Sequence, residues 1–171
     1  MDFLNEKLRR IAFHEAGHAW MMEKVGIRVK HSSVKAFGTV TGDNRGETVP
    51  EKPIEKNRRD LSDKFARAAL AGSATEHYLL GSWDDEGLTA SAYDTGRAKS
   101  YLSMSGDDIK PEALGHYVMA LANSVLEEIS RPGTWHSITQ LAYALMESGT
   151  LDGEKVREIV GADPDIASFE F

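Results

Sequence analysis

The run LRRIAFHEAGHAWMMEKVG, residues 8–26, constrains this chain more than any other part of it. Leu4, Leu8, Ile11 and Ala12, then Ala16, Ala19, Met22 and Val25, recur at three- and four-residue steps, which is the period of a helix with one apolar face. Gly26 supplies a natural stop. A long helix over residues 4–25 is therefore expected. It carries a strong restriction, because His14 and His18 stand four apart and both imidazoles leave the helix on the same side.

The rest of the chain reads as further helices around a small sheet. IRVKHSSVKAFGTVTG is rich in β-branched residues and partly alternates, suggesting two short strands, and GDNRGETVPEKPIEKNRRD, polar with Gly and Pro throughout, reads as a mobile loop. A second helix is expected over residues 60–80, stopping at Gly81 before a loop over SWDDEGLTA. A third starts near Ser91 and ends before Gly106. Pro111 suits the first position of a fourth, which breaks at Pro132; a fifth covers TWHSITQLAYALMESG, and Asp152 can cap a short sixth, GEKVREIVG. The tail from 162 to 171 looks loosely held. The fold class is mainly α (α+β), with a small sheet or hairpin after the histidine-bearing helix.

Composition narrows the chemistry. At 171 residues and 41% hydrophobic content the chain suits one domain spanning 1–171. A net charge of -7, without a basic stripe interleaved with aromatics, argues against nucleic acid as a partner. No apolar run approaches the ~18 residues of a membrane span, and MDFLNEKLRR lacks the apolar region of a signal peptide, so a soluble cytoplasmic protein is expected. With 0 Cys, any metal must be held by imidazole and carboxylate.

HEAGH, residues 14–18, matches the H-E-x-x-H pattern. On a helix, His14 and His18 can both reach one ion at the ~2.0 Å of a zinc–imidazole bond, and Glu15 beside them can take a proton from water activated there. The competing account is a pair of core histidines, each hydrogen-bonded, with Glu15 a solvated helix charge. Gly17 adds weak support, since Gly inside a helix costs roughly 1 kcal/mol relative to Ala and close approach of a backbone or a substrate is a common compensation. Zinc needs a third protein ligand, and His31, His77, His116, His136 and several acids are available. Glu76 follows Phe65, Ala69 and Gly72 on a small apolar face, where a carboxylate needs a partner, although an acid reaching solvent at a helix end is the commoner arrangement. Asp94 has its own bland account as the fourth residue of a capping box, Ser91-Ala-Tyr-Asp94. Spacing alone does not choose between them.

HEAGHA on a helix, then AGSATE, TASAYDTGRAKS and LAYALMESGTLDGEKV in that order, resembles the zinc peptidase domain of the FtsH family of AAA+ proteases over roughly residues 11 to 160. The resemblance implies a helical zincin-like fold with an edge strand beside the metal, Zn2+ as cofactor, and Asp94 as third ligand to His14 and His18. It implies Glu15 as general base, and Glu76 close to the site in a ligand-orienting role. It also makes the strand around VKAFGTV, with Gly38 and Thr39, a peptide-binding edge. The family commonly has Asn before the Asp, where Tyr93 stands here. These residues also lack the G-x-x-x-x-G-K-[ST] phosphate loop of the family's ATPase module and its membrane anchor.

The expectation is an ATP-independent zinc metallopeptidase cleaving flexible or unfolded polypeptides, with an activating or adaptor protein as a further partner. Ring assembly does not follow, because the family's rings largely involve its ATPase. The alternatives are a catalytically silent, zinc-containing binding module and a zinc hydrolase acting on a non-peptide bond.

Overall fold

A computed structural model describes residues 3–34, 46–52, 61–81, 85–103 and 110–161. Helix α1 (Phe3–Lys24) is followed by strands β1 (Val29–Val34) and β2 (Gly46–Pro50), then α2 (Ser62–Leu80), α3 (Asp85–Ser103), α4 (Pro111–Ile129), α5 (Pro132–Ser148), β3 (Thr150–Asp152) and α6 (Gly153–Gly161). The protein is mainly helical with one small antiparallel sheet of order β2-β1-β3.

Punctuation in the sequence accounts for most boundaries. Gly26, Gly81 and Gly149 adopt left-handed φ of 81°, 71° and 74°, and the N–H groups of Gly81 and Gly149 close their helices onto His77 and Leu145. Pro111 and Pro132 open α4 and α5, where a missing N–H costs nothing. The Asp152 carboxylate accepts from the Lys155 N–H at 2.8 Å and caps α6.

Two apolar clusters carry the packing. The larger buries Phe13, Trp20 and Met21 of α1 against α5, α6 and the sheet, with Phe13 stacked on Trp135 at 5.4 Å. The smaller joins Ala66, Ala69 and Leu70 of α2 to Ala98 and Leu102 of α3 and Val118 and Leu121 of α4. Alanines bring α1 and α2 together, Ala12, Ala16 and Ala19 facing Ala68, Ala71 and Ala74. At Gly17 the two helices come close: an added Cβ would stand 2.7 Å from the Ala71 carbonyl oxygen. The mid-helix glycine is thus explained by the backbone of α2.

Three expectations need correction. GETVP is not loop but β2, in register with β1 from Val34 opposite Gly46 to Val29 opposite Pro50. Its Gly and Pro lie at the strand's ends, where they do least harm. A third strand, Thr150–Asp152, pairs with the other edge of β1. Helix α3 starts at Asp85, not near Ser91, so Asp94 lies in mid-helix and the capping-box account of it fails. Gly38, Thr39 and the tail 162–171 lie outside the described residues. No helix among the described residues is long and apolar enough to cross a membrane.

Candidate metal centre

Helices α1, α2 and α3 each send polar side chains into one cleft of about 630 Å³. From α1 come His14, Glu15 and His18. The Nε2 atoms of the two histidines lie 2.9 Å apart, with the rings at 80°. From α3 comes Asp94, 1% exposed, whose Oδ1 is 3.7 Å from His18 Nε2 and whose Oδ2 is 3.7 Å from His14 Nε2. Asp94 shares a face with Ala98 and Leu102, four and eight residues on, so the stripe that packs α3 against its neighbours also drives this carboxylate inward.

Each of these groups is held from behind. The Nδ1 of His14 bonds Glu76 Oε1 at 2.5 Å, and Arg10 Nε donates to Glu76 Oε2 at 2.7 Å. The Nδ1 of His18 donates to the Ala68 carbonyl at 2.7 Å. The N–H and hydroxyl of Ser73 both donate to Asp94 Oδ2, at 3.2 and 2.5 Å. Asp94 Oδ1 is left without a hydrogen bond among the described residues. With both Nδ1 atoms engaged by acceptors, the Nε2 atoms are the ones that face Asp94.

Space for this arrangement comes from Gly72 of α2. A Cβ added there would stand 2.4 Å from His18 Nε2 and 2.6 Å from His14 Nε2, so the imidazoles occupy the volume that any other residue would fill. Sequence reasoning placed Gly72 on an apolar face but gave it no role, since the signal lies in how α1 crosses α2.

The charges are lopsided. Burial would push the His14 pKa down, but its hydrogen bond to Glu76 and the fields of Asp94, Glu15 and Glu76 hold it up at about 9. Glu76 is likewise opposed by burial yet drawn below the usual carboxylate range by His14 and Arg10. Two imidazoles among three carboxylates form a place where positive charge is favoured.

Glu15 is 6% exposed and lies beneath β2. The Thr48 hydroxyl donates to its Oε2 at 2.8 Å, and Gly46 packs so closely that an added Cβ would stand 2.2 Å from Glu15 Cγ. Thr48 and Gly46 were missed in the sequence because their segment reads as loop. The other candidate histidines lie elsewhere: His31 sits 3.5 Å from Glu47 on the sheet, His116 bonds its own helix backbone, and His77 and His136 belong to α2 and α5.

His14, His18 and Asp94 are the group among the described residues whose atoms could hold a metal ion together. Two imidazole nitrogens and a carboxylate oxygen are a zinc donor set. Ligands about 2.0 Å from one ion at tetrahedral angles stand ~3.3 Å apart, and spacings of 2.9 and 3.7 Å bracket that value. No protein-family model matches the sequence, and no curated protein matches it.

Proposed function

We propose that this protein is a zinc-dependent peptidase in which His14, His18 and Asp94 hold the ion and Glu15 is the general base. The observation that carries this reading is the meeting of two histidine Nε2 atoms and the buried Asp94 carboxylate in an open cleft that Glu15 also lines. Zinc bound there would act as a Lewis acid on a substrate carbonyl and make water acidic enough to deprotonate near pH 7. Glu15, which lines the same cleft, would serve as general base toward the attacking water and return the proton to the leaving amine. Thr48 holds one Glu15 oxygen, which fixes the carboxylate without neutralising it. Glu76 and the Ala68 carbonyl keep the imidazoles in the tautomer and orientation that direct Nε2 at the ion.

Strand β2 is an edge of the sheet among the described residues, and Gly46, Glu47 and Thr48 line the cleft. An extended substrate added alongside β2 by main-chain hydrogen bonds would cross the centre, which favours flexible polypeptides over folded ones. The proposed chemistry uses water, the ion and Glu15 and has no step that consumes ATP, so cleavage by these residues is expected without it.

The test pairs metal analysis with digestion. Protein loaded with one zinc should cleave casein at a rate that ATP does not change, and Glu15→Gln should keep the zinc while losing about 10²- to 10⁴-fold in rate. Equal cleavage by Glu15→Gln removes Glu15 from the mechanism. A fully loaded wild-type protein that cleaves neither casein nor short peptides would instead be a zinc-containing binding module.

A further inference from the structure

The cleft that holds the candidate centre contains one lysine or arginine among its described lining residues, Arg97. It lies on α3 one turn beyond Asp94 and therefore faces the same cleft. Its guanidinium lies 5.8 Å from the ring of Tyr93 and 5.9 Å from that of Tyr101, and one amino group donates to the Tyr101 hydroxyl at 3.1 Å. Among the described residues no carboxylate stands within ion-pair distance of it. Of the other arginines with described side-chain contacts, Arg10 is paired with Glu76, Arg67 with Asp63, and Arg157 with Glu51 and Glu23, while Arg9 lies over the Phe13 ring and does not line the cleft.

A guanidinium has five N–H donors in one plane, and stacking on tyrosine faces uses none of them. Arg97 spends one on Tyr101, which leaves a pre-oriented fork at the cleft wall. Burial acts to discharge it, but the Tyr101 hydrogen bond and the fields of Tyr101, Tyr93 and Asp94 outweigh burial and hold the proton more firmly than usual. In a chain with a net charge of -7, a half-buried cation without an acid partner among the described residues is costly unless something anionic meets it in use.

We propose that Arg97 recognises a carboxylate of the bound substrate, either an acidic side chain near the scissile bond or the C-terminal carboxylate. This deepens the peptidase reading and rests on it. The Tyr101 hydrogen bond and the two nearby rings hold the guanidinium beside the cleft, where its remaining N–H groups can meet a carboxylate by paired N–H···O bonds. Arg97 is then a specificity residue, acting on binding and not on the chemical step.

The experiment measures binding to zinc-loaded Glu15→Gln protein, which does not depend on turnover. One labelled flexible peptide is made in four forms, with Glu or Gln at its centre and a free acid or amide at its end. Fluorescence anisotropy should show one carboxylate form binding roughly 10- to 100-fold tighter than its neutral counterpart, the range of a hydrogen bond to a charged group. The Glu/Gln pair reports the side-chain source and the acid/amide pair the terminal one. Adding Arg97→Met should reduce the difference to within about twofold, with Arg97→Gln as the second neutral variant should Arg97→Met not fold. Arg97→Lys should keep part of it, because it retains charge without the fork. Equal binding of all four peptides to protein with Arg97 intact overturns the inference and leaves the peptidase reading standing. A preference that survives loss of the guanidinium overturns it in the same way. Binding of none of the peptides overturns both.

Discussion

Gly72→Ala should separate the proposed metal centre from the fold. An alanine Cβ would lie 2.4 Å from His18 Nε2, 2.6 Å from His14 Nε2 and 2.7 Å from His14 Cε1. Ordinary contact between such atoms is about 3.5 Å, so both imidazoles must retreat by about 1 Å. Metal–ligand distances tolerate only about 0.2 Å, and the substitution should therefore cost at least 10²-fold in zinc affinity. The backbone effect has the opposite sign, since Ala is favoured over Gly inside a helix by about 1 kcal/mol. Ring rotation into the open cleft relieves the overlap, so the chelated variant should unfold within about 2 kcal/mol of the chelated parent. Competition against a chromophoric chelator gives the affinity, and denaturant unfolding monitored by circular dichroism gives the stability. Gly72→Ala protein that binds one zinc with affinity within threefold of the parent would refute the reasoning, because the volume under the imidazoles would then be unnecessary.

Three further outcomes follow from the same geometry. Asp94→Ala should release most of the zinc, whereas Glu76→Gln, which disturbs only the group behind His14, should weaken affinity by 10- to 100-fold; equilibrium dialysis with metal analysis would show the reverse order if Glu76 were the ligand. In chelated protein the raised His14 pKa contributes stability that is fully present below 6.5 and is lost as pH rises through about 9. Zinc bound as proposed would have to displace that proton at neutral pH, so calorimetry in buffers of different ionisation enthalpy should report about one proton released near pH 7.5 and markedly less above pH 9. Gly17→Ala drives a Cβ to 2.1 Å from the Thr75 hydroxyl oxygen and 2.7 Å from the Ala71 carbonyl oxygen, and should cost about 1–3 kcal/mol in denaturant unfolding of zinc-loaded and chelated protein alike.

How far the sequence disclosed this arrangement depended on whether the cause was local. The α1 period, the glycine stops at 26 and 81 and the prolines at 111 and 132 act within a few residues of themselves, and so they could be read directly. The four-residue spacing of His14 and His18 fixes a shared face for the same reason. Strand β2 could not be read, because Gly-Glu-Thr-Val-Pro has little strand preference of its own and is held by pairing with β1 and by the Thr48 bond to Glu15. The start of α3 was missed because Asp, Glu and Gly at residues 85–87 signal loop when no partner is in view. Ser73 behind Asp94 and Gly72 beneath the imidazoles gain their roles only from the crossings of α1, α2 and α3.

The strand order β2-β1-β3 also bears on the sequence of events in folding. The proposed ligands lie on α1 and α3, so gathering them closes a span of 80 residues (94 − 14). Pairing His31 with Asp152 closes a span of 121 residues (152 − 31), and it requires α2 to α5 to lie between the two strands in sequence. That pairing adds to a contact order already raised by the packing of α1 on α5, and long-range closures slow folding. During synthesis from the amino end, α1 to α3 emerge while one side of α1 still lacks Trp135, Ile138 and Leu141 to cover Phe13 and Trp20. A nascent chain would thus expose an apolar flank on the same helix that carries the histidines, and completion of the sheet by Thr150–Asp152 would coincide with covering it.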